Sequence, residues 1–131
     1  MLNFLITSYL FFDMFKPAPI KPLISFKDFS KLDIRVGTIL FVEDIPKSKN
    51  LVRLIVDFGD HKRNILVGMK SERENPKEIE GTQTLFVVNL EPRKMMSELS
   101  EEMILDIGYA DKLNPVLAIP EKPIPNGSRI G

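Results

Sequence analysis

Between Lys31 and Glu43 the apolar residues of this chain change parity. Leu32, Ile34 and Val36 alternate with polar neighbours, and Ile39 and Phe41 continue the set on the opposite parity. Side chains on one face of a strand recur at every second position, so a change of parity demands an extra residue, a bulge. Gly37 stands between the two halves and is the expected place for it, because a residue without Cβ bends most easily. A long first strand bent in this way can serve two sheets at once, as small Greek-key barrels require.

The rest of the chain supplies strands for such a barrel. Leu51–Phe58 puts Val52, Leu54, Val56 and Phe58 on one wholly apolar face. Arg63–Met69, Gln83–Val88 and Met103–Ile107 read as the third, fourth and fifth strands. Asn75-Pro76 is a helix-start signal and Gly81 a stop, so a short helix is expected between the third and fourth strands. Ser25–Ser30 reads as one helical turn capped by Ser25, with Phe26 and Phe29 on one face. Val116–Ile119 is a further candidate for pairing, and the proline-rich tail reads as a turn-rich extended arm. This order predicts an all-β chain: a five-stranded OB-fold Greek-key barrel with a short helix and N- and C-terminal extensions. Spacing alone leaves other small β-barrels open.

The division expected is 1–24, an apolar segment and Pro-rich linker, and 25–131, the barrel domain. Residues 1–15 invite three readings: a helix or strand packed on the domain, an early gene start with Met14 as another initiator, or a signal or anchor. The last lacks a basic n-region and a small-residue cleavage site. Its uncharged run also ends at Asp13, short of the roughly 20 residues a spanning helix needs.

Composition narrows the chemistry. The 18 basic and 18 acidic residues cancel, which argues against a strongly basic nucleic-acid binder without excluding a local basic patch. The absence of cysteine removes disulfides, thiol catalysis and thiolate metal sites. One histidine, His61, leaves no histidine cluster or relay. No phosphate-binding glycine loop or metalloprotease motif occurs, and Glu101-Glu102 on a strand would face opposite ways. No catalytic residue, cofactor or metal is expected, and the chain reads as a non-enzyme.

The stretch Leu85–Leu105 carries what chemistry there is. An apolar run ends at Asn89, Pro92 interrupts any ladder, and Arg93-Lys94-Met95-Met96 and a polar segment lead to Met103-Ile104-Leu105. That predicts two strands flanking a loop of about a dozen residues, the length of a functional loop. The loop offers cations, amides, a hydroxyl and thioethers, the makings of a binding surface.

Four motifs in order carry a family resemblance: Leu32-Asp33-Ile34-Arg35-Val36-Gly37, Val56-Asp57-Phe58-Gly59, Asn89-Leu90-Glu91-Pro92-Arg93-Lys94-Met95, and Ser100-Glu101-Glu102-Met103-Ile104-Leu105. Together they resemble the tRNA-binding OB domain appended to methionyl-tRNA synthetase, which also occurs as a stand-alone dimeric tRNA-binding protein and in the export-related chaperone CsaA. The ending Pro125–Gly131 is similar to that of CsaA, and the resemblance spans about residues 26–131. It implies a homodimer that binds structured tRNA, alone or docked to a methionyl-tRNA synthetase catalytic chain; the cytoplasm is the default compartment expected. It implies binding roles for Asn89, Arg93, Lys94, Ser100 and Met103. The first turn departs from the family's usual alanine-aspartate-lysine-leucine, reading Ser48-Lys49-Asn50-Leu51, and Lys47 and Lys49 add positive charge there. Ser97 and Glu102 stand where the family usually has glycine, and Glu98, Glu101 and Glu102 are expected to repel phosphate.

Each residue also has a plainer reading. Asn89 can hold backbone, Ser100 can cap a turn, and Met95, Met96 and Met103 can fill core or form a soft surface. Arg93-Lys94 can be a solvated pair. Phe41 and Phe58 can stack bases, but both read as core. The second functional reading is a CsaA-like chaperone holding unfolded preprotein segments.

Overall fold

The computed structural model describes residues 14–131. The expectation for residues 1–15 therefore falls almost wholly outside the described residues. Residues 16–25 form neither helix nor strand, as the three prolines of Lys16–Leu23 dictate. A single turn, α1 (Phe26–Phe29), follows; the Ser25 side chain accepts the Asp28 N–H at 3.0 Å, and the Phe26 and Phe29 rings lie 6.3 Å apart.

Five antiparallel strands make the barrel: β1 (Ile34–Asp44), β2 (Val52–Asp57), β3 (Lys62–Val67), β4 (Gln83–Val87) and, after two short strands described below, β7 (Met103–Ile104). Their order in the sheet is β3-β2-β1-β4-β7. This is the all-β OB-like barrel that the strand order predicts. A 3-10 turn, Pro76–Ile79, replaces the expected short helix, with Ile79 buried and Gly81 in left-handed backbone after it. β8 (Asp106–Ile107) and β9 (Val116–Leu117) pair beside the barrel, so the expected fifth strand is split in two. Among the described residues no helix is long and apolar enough to cross a membrane.

The shared strand is real, but the bulge sits elsewhere. Ile34–Thr38 pairs with β4 and Thr38–Asp44 with β2, and the register slips between Ile39 and Phe41, at Leu40 rather than Gly37. The slip turns Phe41 outward, leaving it 56% exposed, so Phe41 is not core. Leu32 precedes the strand and is also exposed. Phe58 is core as expected: it packs edge-on to Phe86 at 5.3 Å, among Ile39, Leu54, Val56 and Ile65.

The tail is not a free arm. Beyond the end of β2 it takes over that edge of β1: Val36 N–H donates to Ser128 O at 2.9 Å, Gly127 N–H to Val36 O at 2.8 Å, and Ile130 N–H to Ile34 O at 2.9 Å. Gly127 has φ +89°, and a Cβ there would lie 2.5 Å from Phe58 O, so only glycine fits.

Gly37 has a different requirement from the one the parity argument gives it. A Cβ built on it would lie 2.6 Å from Val56 Cγ1 and 2.8 Å from Phe58 Cε1, both fully packed side chains. The glycine lets β1 pass close over the inner face of β2. Gly37→Ala is expected to cost about 1–3 kcal/mol by overpacking and to lower Tm by several degrees. An unchanged thermal melt would mean that the strands can spread there.

Candidate nucleic-acid interface

The stretch expected to be a loop is a second small sheet. β5 (Arg93–Met95) pairs with β6 (Glu98–Ser100) across the tight turn Met96-Ser97. Both turn residues have positive φ, 53° and 65°, the backbone a two-residue hairpin needs. Neither is glycine or asparagine, which is why no hairpin signal is visible in the sequence. Pro92 stands just before β5, where its missing N–H breaks no pair.

The register sorts the side chains. Arg93 lies opposite Ser100 and Met95 opposite Glu98, and these four share the face turned to the barrel; Lys94 and Leu99 share the other and are exposed. Between the hairpin, the end of β3 and the segment carrying Met103 runs a groove of about 830 Å³. Leu66, Met69, Met95 and Met103 give it an apolar, polarizable lining, and Arg93 stands at its wall. Met103 is half exposed into it.

Ser100 is buried and structural. Its Oγ accepts the Leu66 N–H at 3.0 Å, where β3 has no strand partner on that side. Beside it the Glu101 N–H donates to Asn64 O at 3.1 Å. These bonds close the barrel between β3 and the segment Ser100–Glu102. Asn89 is also structural: Oδ1 accepts the Asp33 N–H at 2.9 Å and Nδ2 donates to Lys31 O at 2.7 Å, tying the end of β4 to the entry of β1. Lys47 and Lys49 are exposed in the turn between β1 and β2. Asn50, next to Lys49, lines the groove; neither Lys47 nor Lys49 does. Lys70 Nζ holds that turn through Ile45 O and Ser48 O at 2.8 and 2.7 Å.

The three carboxylates are not the repelling set that the sequence suggests. Glu98 pairs with Arg53, which also reaches Glu43 at 3.1 Å. Glu101 pairs with Arg63 at 2.7 Å. Glu102 is buried, with Arg63 Nε 3.3 Å from Oε1 but neither carboxylate oxygen in a hydrogen bond. Burial raises its pKa to about 7, against the pull of Arg63. Among the described residues Arg93 and Lys94 enter no ion pair. The hairpin therefore carries two uncommitted cations, while Glu72, Glu91 and Asp106, which enter no ion pair among the described residues, put negative charge along the same groove.

Residues 34–129 match the tRNA-binding domain family. The chain belongs to that family. A methionine–tRNA ligase of Archaeoglobus fulgidus is 43% identical over 110 residues, which is 84% of this chain and 16% of the ligase. The chain thus spans about one sixth of the length of the curated relatives it matches. A protein from Pyrococcus horikoshii related to methionyl-tRNA synthetase superposes with TM-score 0.77 at 32% identity, covering 85% of this chain and all of that one. The chaperone CsaA of Bacillus anthracis gives TM-score 0.69 at 30% identity, covering 84% and 100%.

In this tRNA-binding domain Arg53 and Arg63 are the residues the sequence reading passed over, and Glu102, expected as a repelling surface charge, is instead buried. Arg53 is on the polar face of β2, where the alternation already puts it. Glu102 shares parity with the core residue Ile104, a sign that it faces inward.

The buried carboxyl makes stability depend on pH. Between its ordinary value of 4.5 and about 7 the folded chain keeps a proton that the unfolded chain has released. Stability therefore falls as pH rises through that window, by no more than about 3 kcal/mol from this group. Chemical denaturation of Glu102→Gln across the same range should lack that part of the slope; an identical slope would assign it elsewhere.

Proposed function

We propose that this tRNA-binding domain is a non-catalytic module that holds the phosphate backbone of a folded tRNA against the groove wall. One observation supports it most: Arg93 stands unpaired at the groove wall, while Glu98 and Glu101 are each paired with an arginine and Glu102 is buried; Glu72, Glu91 and Asp106 also line the groove. Arg93 and Lys94 supply phosphate cations on opposite faces of the hairpin, the exposed Lys47 and Lys49 add charge in the turn that carries the groove residue Asn50, and Met103 offers a soft contact for a base. Ser100 and Asn89 act by holding backbone, so they shape the surface rather than touch RNA. Affinity comes from phosphate and selectivity from RNA shape. The working unit is residues 25–131, acting in the cytoplasm and assisting a methionyl-tRNA synthetase catalytic chain.

A homodimer fits the apolar surface outside the barrel. Ile107, Tyr109, Val116 and Ile119 are each more than half exposed, and Ile124 is 44% exposed. Such a set suits a subunit interface. Sedimentation at micromolar concentration should give twice the chain mass; monomer alone would overturn the dimer.

The apolar, methionine-lined groove and the likeness to CsaA favour a second reading, capture of extended preprotein segments. A tRNA gel shift with a salt series separates the two, since phosphate binding weakens as salt rises and apolar binding does not. Arg93→Ala should weaken different tRNAs alike and lower the salt slope by about one unit. Lys94→Ala, on the outer face of the hairpin, should have the smaller effect. Salt-independent binding, indifferent to Arg93, would move the assignment to peptide capture.

A further inference from the structure

Glu102 sits where the groove and the barrel seam meet. It lines the groove, its two neighbours in sequence are the seam residue Glu101 and the groove residue Met103, and its side chain is 1% exposed. Neither of its oxygens has a hydrogen-bond partner. Buried polar atoms are rarely left so, and an unsatisfied one in a binding groove asks for a role. The charged groups facing it are Arg63 from β3, His61 from the turn before β3, Glu101 on its own segment and Asp33 ahead of β1. Arg63 Nη1 bonds Glu101 at 2.7 Å, and its Nε lies 3.3 Å from Glu102 Oε1 without forming a hydrogen bond.

We propose that Glu102 is a proton-linked determinant of RNA affinity in this domain: the RNA-bound state holds it as the neutral acid, and its ionisation weakens binding. The inference rests on the RNA-binding reading above and adds its regulation. Two effects act in the same direction. An ionised Glu102 adds a negative charge inside the groove that Arg93 lines, against phosphate. It also needs donors or water that its burial denies it, and the way to admit them is to part Ser100–Glu102 from β3. That motion breaks the Ser100–Leu66 and Glu101–Asn64 bonds and releases the hairpin that carries Arg93. By reciprocity, RNA binding near neutral pH takes up a proton from solvent onto the Glu102 carboxylate.

The test is tRNA binding by the full chain, read by fluorescence anisotropy at low fixed salt from about pH 6 to about pH 8. Wild-type affinity should fall about fivefold across that range. Glu102→Gln should show no fall and should match wild type at the acid end. His61→Gln, which removes the imidazole facing Glu102 from the turn before β3, should keep the fall. A wild-type profile that is flat, or one that Glu102→Gln shares, overturns the proposal while Arg93-dependent binding leaves the RNA reading standing. Absence of tRNA binding at every pH overturns both. Should Glu102→Gln fail to fold, amide exchange in the wild-type protein decides: protection of the Leu66 and Glu101 amides should drop as pH rises through neutrality. Constant protection factors there overturn the seam mechanism and the proposal with it.

Discussion

The barrel closes through a hydroxyl. Four of its strand contacts are backbone ladders, but β3 meets the segment before β7 through Ser100 Oγ on the Leu66 amide and one backbone bond from Glu101 to Asn64. A ladder spreads its strength over many residues; this seam rests on those two bonds and on the Glu101 side chain, which accepts the Asn64 N–H at 3.3 Å and pairs with Arg63. A buried amide left without its acceptor costs about 1–3 kcal/mol, so Ser100 is not exchangeable for alanine at small cost. The serine of the Ser100–Met103 motif thereby positions the groove by holding β3, and the Met103 thioether can face outward because the residues before it are anchored.

Charge follows from the same arrangement. A neutral chain with three glutamates near its candidate site looks poorly suited to RNA. Folding brings Arg53 of β2 to Glu98 and Arg63 of β3 to Glu101, while Glu102 goes inside. Surface ion pairs of this kind add little to stability. Their effect here is on the field: they cancel Glu98 and Glu101 beside the hairpin and leave Arg93 and Lys94 free to face the groove carboxylates Glu72, Glu91 and Asp106 or an incoming phosphate. Net charge counted over a chain says nothing about which charges are spent on one another.

Much of the fold was legible in local pattern. The alternation Val52, Leu54, Val56, Phe58 depends only on strand period, and all four are buried. The double service of β1 was legible from its parity change. The place of the bulge was not, since Gly37 stays regular and is required by the nearness of Val56 and Phe58, a contact across strands. Phe41 was misplaced for the same reason, being set outward by a slip at Leu40. The hairpin was hidden because Met96 and Ser97 adopt left-handed backbone without the residues that advertise it. Within the site, sequence distinguished the cations from the rest but not which carboxylates oppose them, because Arg53–Glu98 spans 45 residues and Arg63–Glu101 spans 38.

The edge of β1 that the tail completes has a consequence for how the protein is made. Ile34, Val36 and Thr38 leave the ribosome early, yet their edge partners are Ile130, Ser128, Gly127 and Asn126. Chains emerge at roughly 5–20 residues per second, so this edge stays bare for several seconds while the rest of the barrel is synthesised. An unpaired strand edge is a template for other chains. Nascent copies on one messenger therefore pass through an interval in which the β1 edge can be taken by a stranger, and it ends only when the Pro125–Ile130 segment emerges.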